Sequence, residues 1–245
     1  VVPLPPRRPG DGKVITVMSG KGGSGKTITA TNLAAVLTEK AGEDKVVLVD
    51  ADLQFGDVAL MLQIDPTRTI LDAVDGIDDL TEPRLDALLI RHPSGLRVLP
   101  APLVPTSSET VGPKDVVRIV EMLRGMFPFV IVDTSPIFDD GLMTILEHSD
   151  DVLLIVDMDL PSVKNAKIAL DTLRAISFDL SAVNVVVKEP ACKPPWTAPR
   201  TAVRSGTPWR GTACSQVMSR RPEKRWKKEL NGIRMMNSGR CSRRL

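Results

Sequence analysis

An apolar run, KVITVM (13–18), passes through GKGGSGKT (20–27) straight into a stretch with helical spacing (26–41). No other stretch narrows the fold as much. Gly20-x4-Gly25-Lys26-Thr27 fits the pattern G-x-x-x-x-G-K-[ST], and average residue frequencies make a chance match in a chain this long roughly a one-in-a-hundred event. At a strand-to-helix corner the pattern has a mechanism. Backbone N–H groups of a glycine-rich turn converge on phosphate oxygens, and the helix N-terminus adds its partial positive charge. Lys26 then reaches the β- and γ-phosphates, and Thr27 offers its hydroxyl to Mg²⁺. Gly20, Gly22, Gly23, Ser24, Gly25, Lys26, Thr27 and Ile28 form the predicted cradle.

Gly20, Gly22 and Gly25 also spell G-x-G-x-x-G, with Asp50 or Asp52 placed to hold a ribose hydroxyl in an NAD site. Two features argue against that reading. A dinucleotide fold has no need of Lys26-Thr27 directly after the last glycine. Nor does it account for VIVDTSP (130–136), an apolar strand ending in Asp133, the position of an acid that holds Mg²⁺ through water.

Short Val- and Ile-rich runs recur at 13–18, 45–50, 96–100, 129–133, 151–156 and 182–187. Continuous rather than alternating apolar runs indicate strands buried on both faces. Helical spacing fills the intervals. Ile28, Leu33, Val36 and Leu37 can share a face in 26–41; Val116, Ile119, Val120 and Leu123 in 112–126; Val163, Ile168, Leu170 and Leu173 in 161–176. The alternation predicts an α/β, three-layer P-loop fold: a mostly parallel, twisted sheet with helices on both faces.

The three motifs KGGSGKT (21–27), VLVDADLQFGD (47–57) and VIVDTSP (130–136) resemble those of the deviant-Walker ATPases of the MinD/ParA family. LQFGDVA (53–59), HPSGLRVLPAP (92–102) and MDLPSVKNAK (158–167) are similar to the CpaE-like branch, linked to pilus assembly and polar localisation. The resemblance covers about 13–187. It implies a slow, Mg²⁺-dependent ATPase that dimerises around ATP and positions a pilus, secretion, septum or chromosome apparatus through a partner protein. Lys21 is similar to the family's signature lysine, which crosses a homodimer to the partner's phosphates. A cation supplied in trans stabilises charge developing on a cleaved γ-phosphate. Lys21, Lys26 and Asp52 are therefore the implied catalytic residues, Asp52 orienting the attacking water. Thr27, Asp50 and Asp133 are the implied metal residues, Asp50 aiding either Mg²⁺ coordination or loop geometry. Ser135-Pro136 would lie in the segment that senses the γ-phosphate.

Other residues carry plainer expectations. Asp57, Asp139 and Asp140 read equally well as solvated or helix-capping. His92 and His148 lack any Cys or second His at ligand spacing, which points to surface or capping roles. Met122 and Met126 read as core or helix-face residues.

Charge divides the chain. Residues 188–245 carry 15 Lys and Arg against 3 Asp and Glu, which leaves 17 against 27 in 1–187. All three cysteines and all three tryptophans lie in the last stretch. The first 187 residues thus offer no disulfide, thiolate metal site or cluster ligand, which disfavours an iron-protein-like electron carrier and fits a reducing cytoplasm. Three segments follow: a Pro/Arg linker at 1–12, with an upstream domain expected before it; the ATPase domain at 13–187; and a basic Pro/Arg-rich tail at 188–245. After VNVVV (183–187) the family continues with an adenine-reading asparagine and an arginine, whereas this chain has Lys188-Glu189-Pro190. The composition of this tail predicts a solvated, disordered or incomplete C-terminal end, such as a frameshifted, non-native end would produce, leaving one sheet edge and part of the adenine pocket open. A functional tail would instead place Trp226, Leu230 and Ile233 on anionic lipid at the inner face of the cell membrane, or its charge on DNA phosphates. A nucleotide-holding scaffold with little turnover is the alternative function.

Overall fold

The computed structural model describes residues 12–102 and 111–188. Seven strands form one sheet in the order β3-β4-β2-β5-β1-β6-β7. They are β1 Lys13–Ser19, β2 Val46–Ala51, β3 Ile90–Arg91, β4 Arg97–Leu99, β5 Phe129–Thr134, β6 Asp151–Asp157 and β7 Val183–Lys188. Every pairing is parallel except β3 with β4. The six strands expected from apolar runs are all present. The short β3 was not anticipated, because two residues carry no readable period.

The helices are α1 Lys26–Ala41, α2 Val58–Met61, α3 Ile70–Val74, α4 Glu82–Leu88, α5 Pro113–Met126, α6 Asp140–Glu147 and α7 Leu160–Ala175. One side of the sheet packs on α3 to α7, through Val14, Val47, Val130 and Val132 toward α5 and Met18, Val152 and Leu154 toward α7. α1 and α2 cover the other side, where Val17, Leu48 and Ile131 meet Ala30, Ala34 and Val58. Opposite faces of every strand but the short β3 thus enter different cores, which is why the runs lack alternation.

The expected face of α5 is buried as read: Val116, Ile119, Val120 and Leu123 all lie in the core. Two other helix faces need correction. In α1, Leu33 and Leu37 of the expected face pack half-buried against the core, but Ile28 and Val36 are exposed, and Ala30, Thr31, Ala34 and Thr38 are the buried positions. In α7, Val163 and Ile168 are exposed, while Ala166, Ala169, Leu170 and Leu173 are buried. Small residues let these helices lie close to the sheet, and this closeness outweighs the larger apolar side chains on their flanks. Met122 and Met126 pack half-buried against the core.

A buried ion pair ties α5 to the entry of β1. Arg124 Nη2 donates to Asp150 Oδ1 at 2.7 Å, and Arg124 Nε donates to the Gly12 carbonyl at 3.3 Å. Asp150 Oδ2 in turn accepts from Val14 N at 2.8 Å. Removing the cation of a buried pair typically costs about 3–5 kcal/mol. Arg124→Met is therefore expected to lower unfolding free energy by about 3 kcal/mol, read from urea melts; a loss under about 1 kcal/mol would deny the pair its structural role.

Candidate phosphate and metal site

The parallel register brings the site together at the C-terminal edge of the sheet. Val17 pairs with Asp133 across β1–β5, Asp50 with Asp133 across β2–β5, and Asp157 with Lys188 across β6–β7. β1 lies between β5 and β6, so its loop emerges between the ends of both neighbours.

Residues 20–25 form the turn between β1 and α1. Gly23 and Gly25 have φ of 73° and 83°, the left-handed region that other residues enter at a cost. Gly20 is required by space: a Cβ there would lie 2.9 Å from Asn165 of α7. Ser19 Oγ donates to the Lys21 carbonyl at 2.7 Å, closing the start of the turn. Lys26 is buried as the first residue of α1, beside Thr27.

Asp133 ends the apolar part of β5 at 0% exposure, and neither of its oxygens meets a donor in bonding geometry. Burial pushes its pKa up to about 6, although the nearby Thr27 hydroxyl and Lys26 ammonium hold it lower than burial alone would. The Ser24 hydroxyl in the loop is likewise buried without a partner. A buried carboxylate with open lone pairs, next to a cation and a hydroxyl, is a donor set that suits a hydrated Mg²⁺ and phosphate. The residues fit the group.

Asp50 is also buried, but both oxygens are committed: Oδ1 accepts from Asp52 N at 3.1 Å and Oδ2 from Val58 N at 3.2 Å. Burial, followed by the charge of Asp133, raises its pKa to about 8. Asp52 lies just beyond β2, half-buried, with Oδ1 accepting from Phe55 N at 3.1 Å. It borders a cavity of about 370 Å³ together with Thr134, Ser135, Asp139 and Leu142.

Lys21 is held within its own chain. Its Nζ lies 2.8 Å from Asp159 Oδ2 and 3.9 Å from Asp157 Oδ2. The hydrogen bond to Asp159 raises the lysine pKa and lowers that of the acid. Asp159 also caps α7, accepting from Ser162 N at 2.6 Å. Sequence spacing gave no signal for these partners, which lie 136 and 138 residues away.

The remaining acids and histidines take local roles. Asp139 caps α6 by accepting from Leu142 N at 2.8 Å. Asp140 sits in the first turn of α6, and Asp57 precedes α2 without a side-chain cap. His148 ends α6 and pairs with Glu121 at 2.9 Å, while His92 bonds Ser94 at 2.8 Å in a turn. Among the described residues there is no cluster of three or more His, Cys, Asp or Glu suited to a metal, and no helix is long and apolar enough to cross a membrane. The readings placed on the linker and the tail, including Trp226, Leu230 and Ile233, lie outside the described residues, apart from Gly12 and Lys188.

A family model described as an AAA domain, AAA_31, matches residues 12–182. The septum site-determining protein MinD of Thermotoga maritima is 30% identical over 178 residues, 72% of this chain. The chain spans 64% of that relative's length. A ParA family ATPase from Chlorobium tepidum shares the fold at a TM-score of 0.67 and 22% identity, over 72% of this chain and 73% of that one. So does the MinD of Pyrococcus horikoshii, solved with Mg-ADP, at a TM-score of 0.61 and 21% identity, over 71% and 69%.

Proposed function

The chain belongs to the AAA_31 family and is of the MinD/ParA type of P-loop ATPases, and from that premise we propose that it is an ATP-binding, ATP-hydrolysing dimerisation switch. The observation that carries the proposal is Asp133, buried with both oxygens open beside Lys26 and Thr27. Asp133 and Thr27 would hold Mg²⁺, whose charge would offset that of the phosphates.

Each residue then has a task. The backbone of 20–27 grips the phosphates, with Lys26 reaching the outer two and Thr27 and Asp133 holding the metal, Asp133 through water. Asp52 orients the attacking water beside Ser135. Asp50 braces the turn between β2 and α2 through its two amide bonds, the loop-geometry role among its alternatives. Lys21 leaves Asp159 and reaches a twin's phosphates.

A second copy of the chain suits the surface around the loop. Ile28, Phe55, Ile137, Met158 and Leu160 are exposed apolar side chains just beyond the C-terminal ends of β1, β2, β5 and β6. Such a rim on the edge that binds ligand is the mark of a docking surface. Hydrolysis would then time the positioning of a cellular apparatus, with septum determination carried by the Thermotoga relative's name. A pilus or secretion system is the finer reading, from the CpaE-like motifs.

The alternative, a scaffold that holds nucleotide with little turnover, draws support from Lys21 being satisfied within its own chain. Light scattering and phosphate release, with and without ATP and Mg²⁺, separate the two. The switch predicts a mass near twice the monomer with ATP and Mg²⁺ only, and Lys21→Ala losing both the larger species and turnover. A monomer under all conditions would remove the switch.

A further inference from the structure

Lys188 is the last residue of β7 and lies far from the loop in sequence, yet its Nζ donates to the Ser24 carbonyl at 2.8 Å. The same ammonium stands 3.5 Å from Asp157 Oδ1, its cross-strand neighbour. Its stem follows the loop closely: a Cβ built on Gly25 would lie 2.5 Å from Lys188 Nζ and 3.4 Å from its Cε.

We propose that Lys188 is a positioning residue for the phosphate loop, fixing the Ser24–Gly25 peptide so that its N–H faces the anion. This rests on the phosphate-binding reading given above. The described chain has no cis peptide bond, and in a trans peptide N–H and C=O point in opposite directions. Drawing the Ser24 carbonyl toward β7 therefore turns the Gly25 N–H away from β7 and into the turn. The loop cannot secure this by itself. Gly22 and Gly23 have open space where a Cβ would lie, and Gly25, at φ 83°, is anchored only on its far side, where its carbonyl accepts from Thr29 N at 3.0 Å and Thr29 Oγ1 at 2.8 Å. Ser24 precedes that anchor, so its peptide carbonyl still turns unless something outside the loop holds it. The hydrogen bond from a charged donor does so, and Asp157 keeps the ammonium in place while also lying 3.9 Å from Lys21. One acid thus restrains two lysines on either side of the loop.

The competing view is that Lys188 only neutralises Asp157. Either loss would weaken a phosphate, since an unneutralised Asp157 repels it, but only lost positioning loosens the nucleotide-free loop. The test uses the full chain with Mg-ADP and inorganic triphosphate as separate calorimetric probes. Lys188→Met, which keeps the stem and removes the donor, is expected to weaken both by the same factor, about tenfold or more. Lys188→Arg, which restores a donor, returns both to within about threefold of the parent. Amide exchange over 19–27 in the nucleotide-free chain rises in the methionine variant, and the melting temperature of the whole chain does not follow it. Lys188→Gln provides a second, milder loss should the methionine variant fold poorly. Unchanged affinity for inorganic triphosphate in both the methionine and glutamine variants overturns the proposal. A parent chain that binds neither probe overturns the phosphate-binding reading itself.

Discussion

Asp52→Ala is expected to cut ATP turnover by about 10²–10⁴-fold while ATP affinity stays within about threefold, the range for a lost group that manages the reacting proton or water. The structure gives the reason for the split. Asp52 lies past the end of β2, on the rim of the cavity that Thr134 and Ser135 share, and its hydrogen bonds go to Asp50 and Phe55 rather than to the glycine loop. Its bond to Phe55 N fixes its rotamer without burying it. Asp50 is no replacement, because its oxygens are held by Asp52 N and Val58 N. Steady-state phosphate release, set against ATP affinity from calorimetry, checks the split. Equal turnover in the parent and the variant would hand the function to the scaffold reading.

Lys26→Met should weaken Mg-ATP binding by about 10²–10³-fold, the range expected for losing a buried cation that meets an anion. Lys26 is buried at the first position of α1, where the helix N-terminus already favours negative charge. Its ammonium also offsets the buried charge of Asp133. Methionine keeps the stem and its packing, so the loss is electrostatic. With the ammonium gone, Asp133 keeps its proton to higher pH, which further disfavours a metal there. Equilibrium titration with a fluorescent ATP analogue reads the loss. An affinity within tenfold of the parent would mean that backbone amides alone hold the phosphates.

Much of this protein is legible in its amino-acid sequence. The glycine loop announced its strand and helix because G-x-x-x-x-G-K-[ST] works only at such a corner, and β1 and α1 flank it as expected. The buried strands were visible because burial on both faces erases polar positions, as in Val46–Val49. Helix faces were read less well. Of the predicted α1 face, Leu33 and Leu37 reach the core, but Ile28 and Val36 do not, and Ala30 and Ala34 are the fully buried positions. Apolar spacing marks a candidate stripe, and which side is buried depends on how near the helix can come to its neighbour. The short α2, α3 and α4 lacked the length for a period to show.

By itself, the sequence determined the place of the glycine loop at a strand-to-helix corner, the strand-and-helix alternation and the family. Those signals are local, contained within a dozen residues where spacing and residue type are enough. Tertiary structure alone decided which distant groups meet: Lys188 on the Ser24 carbonyl, Lys21 on Asp159, and Asp133 left with open oxygens. Those contacts depend on strand order and register, which place β1 between β5 and β6 and set β7 beside β6. A hydrogen bond needs its partners within about 3 Å, and separation along the chain says nothing about that distance once a sheet has folded.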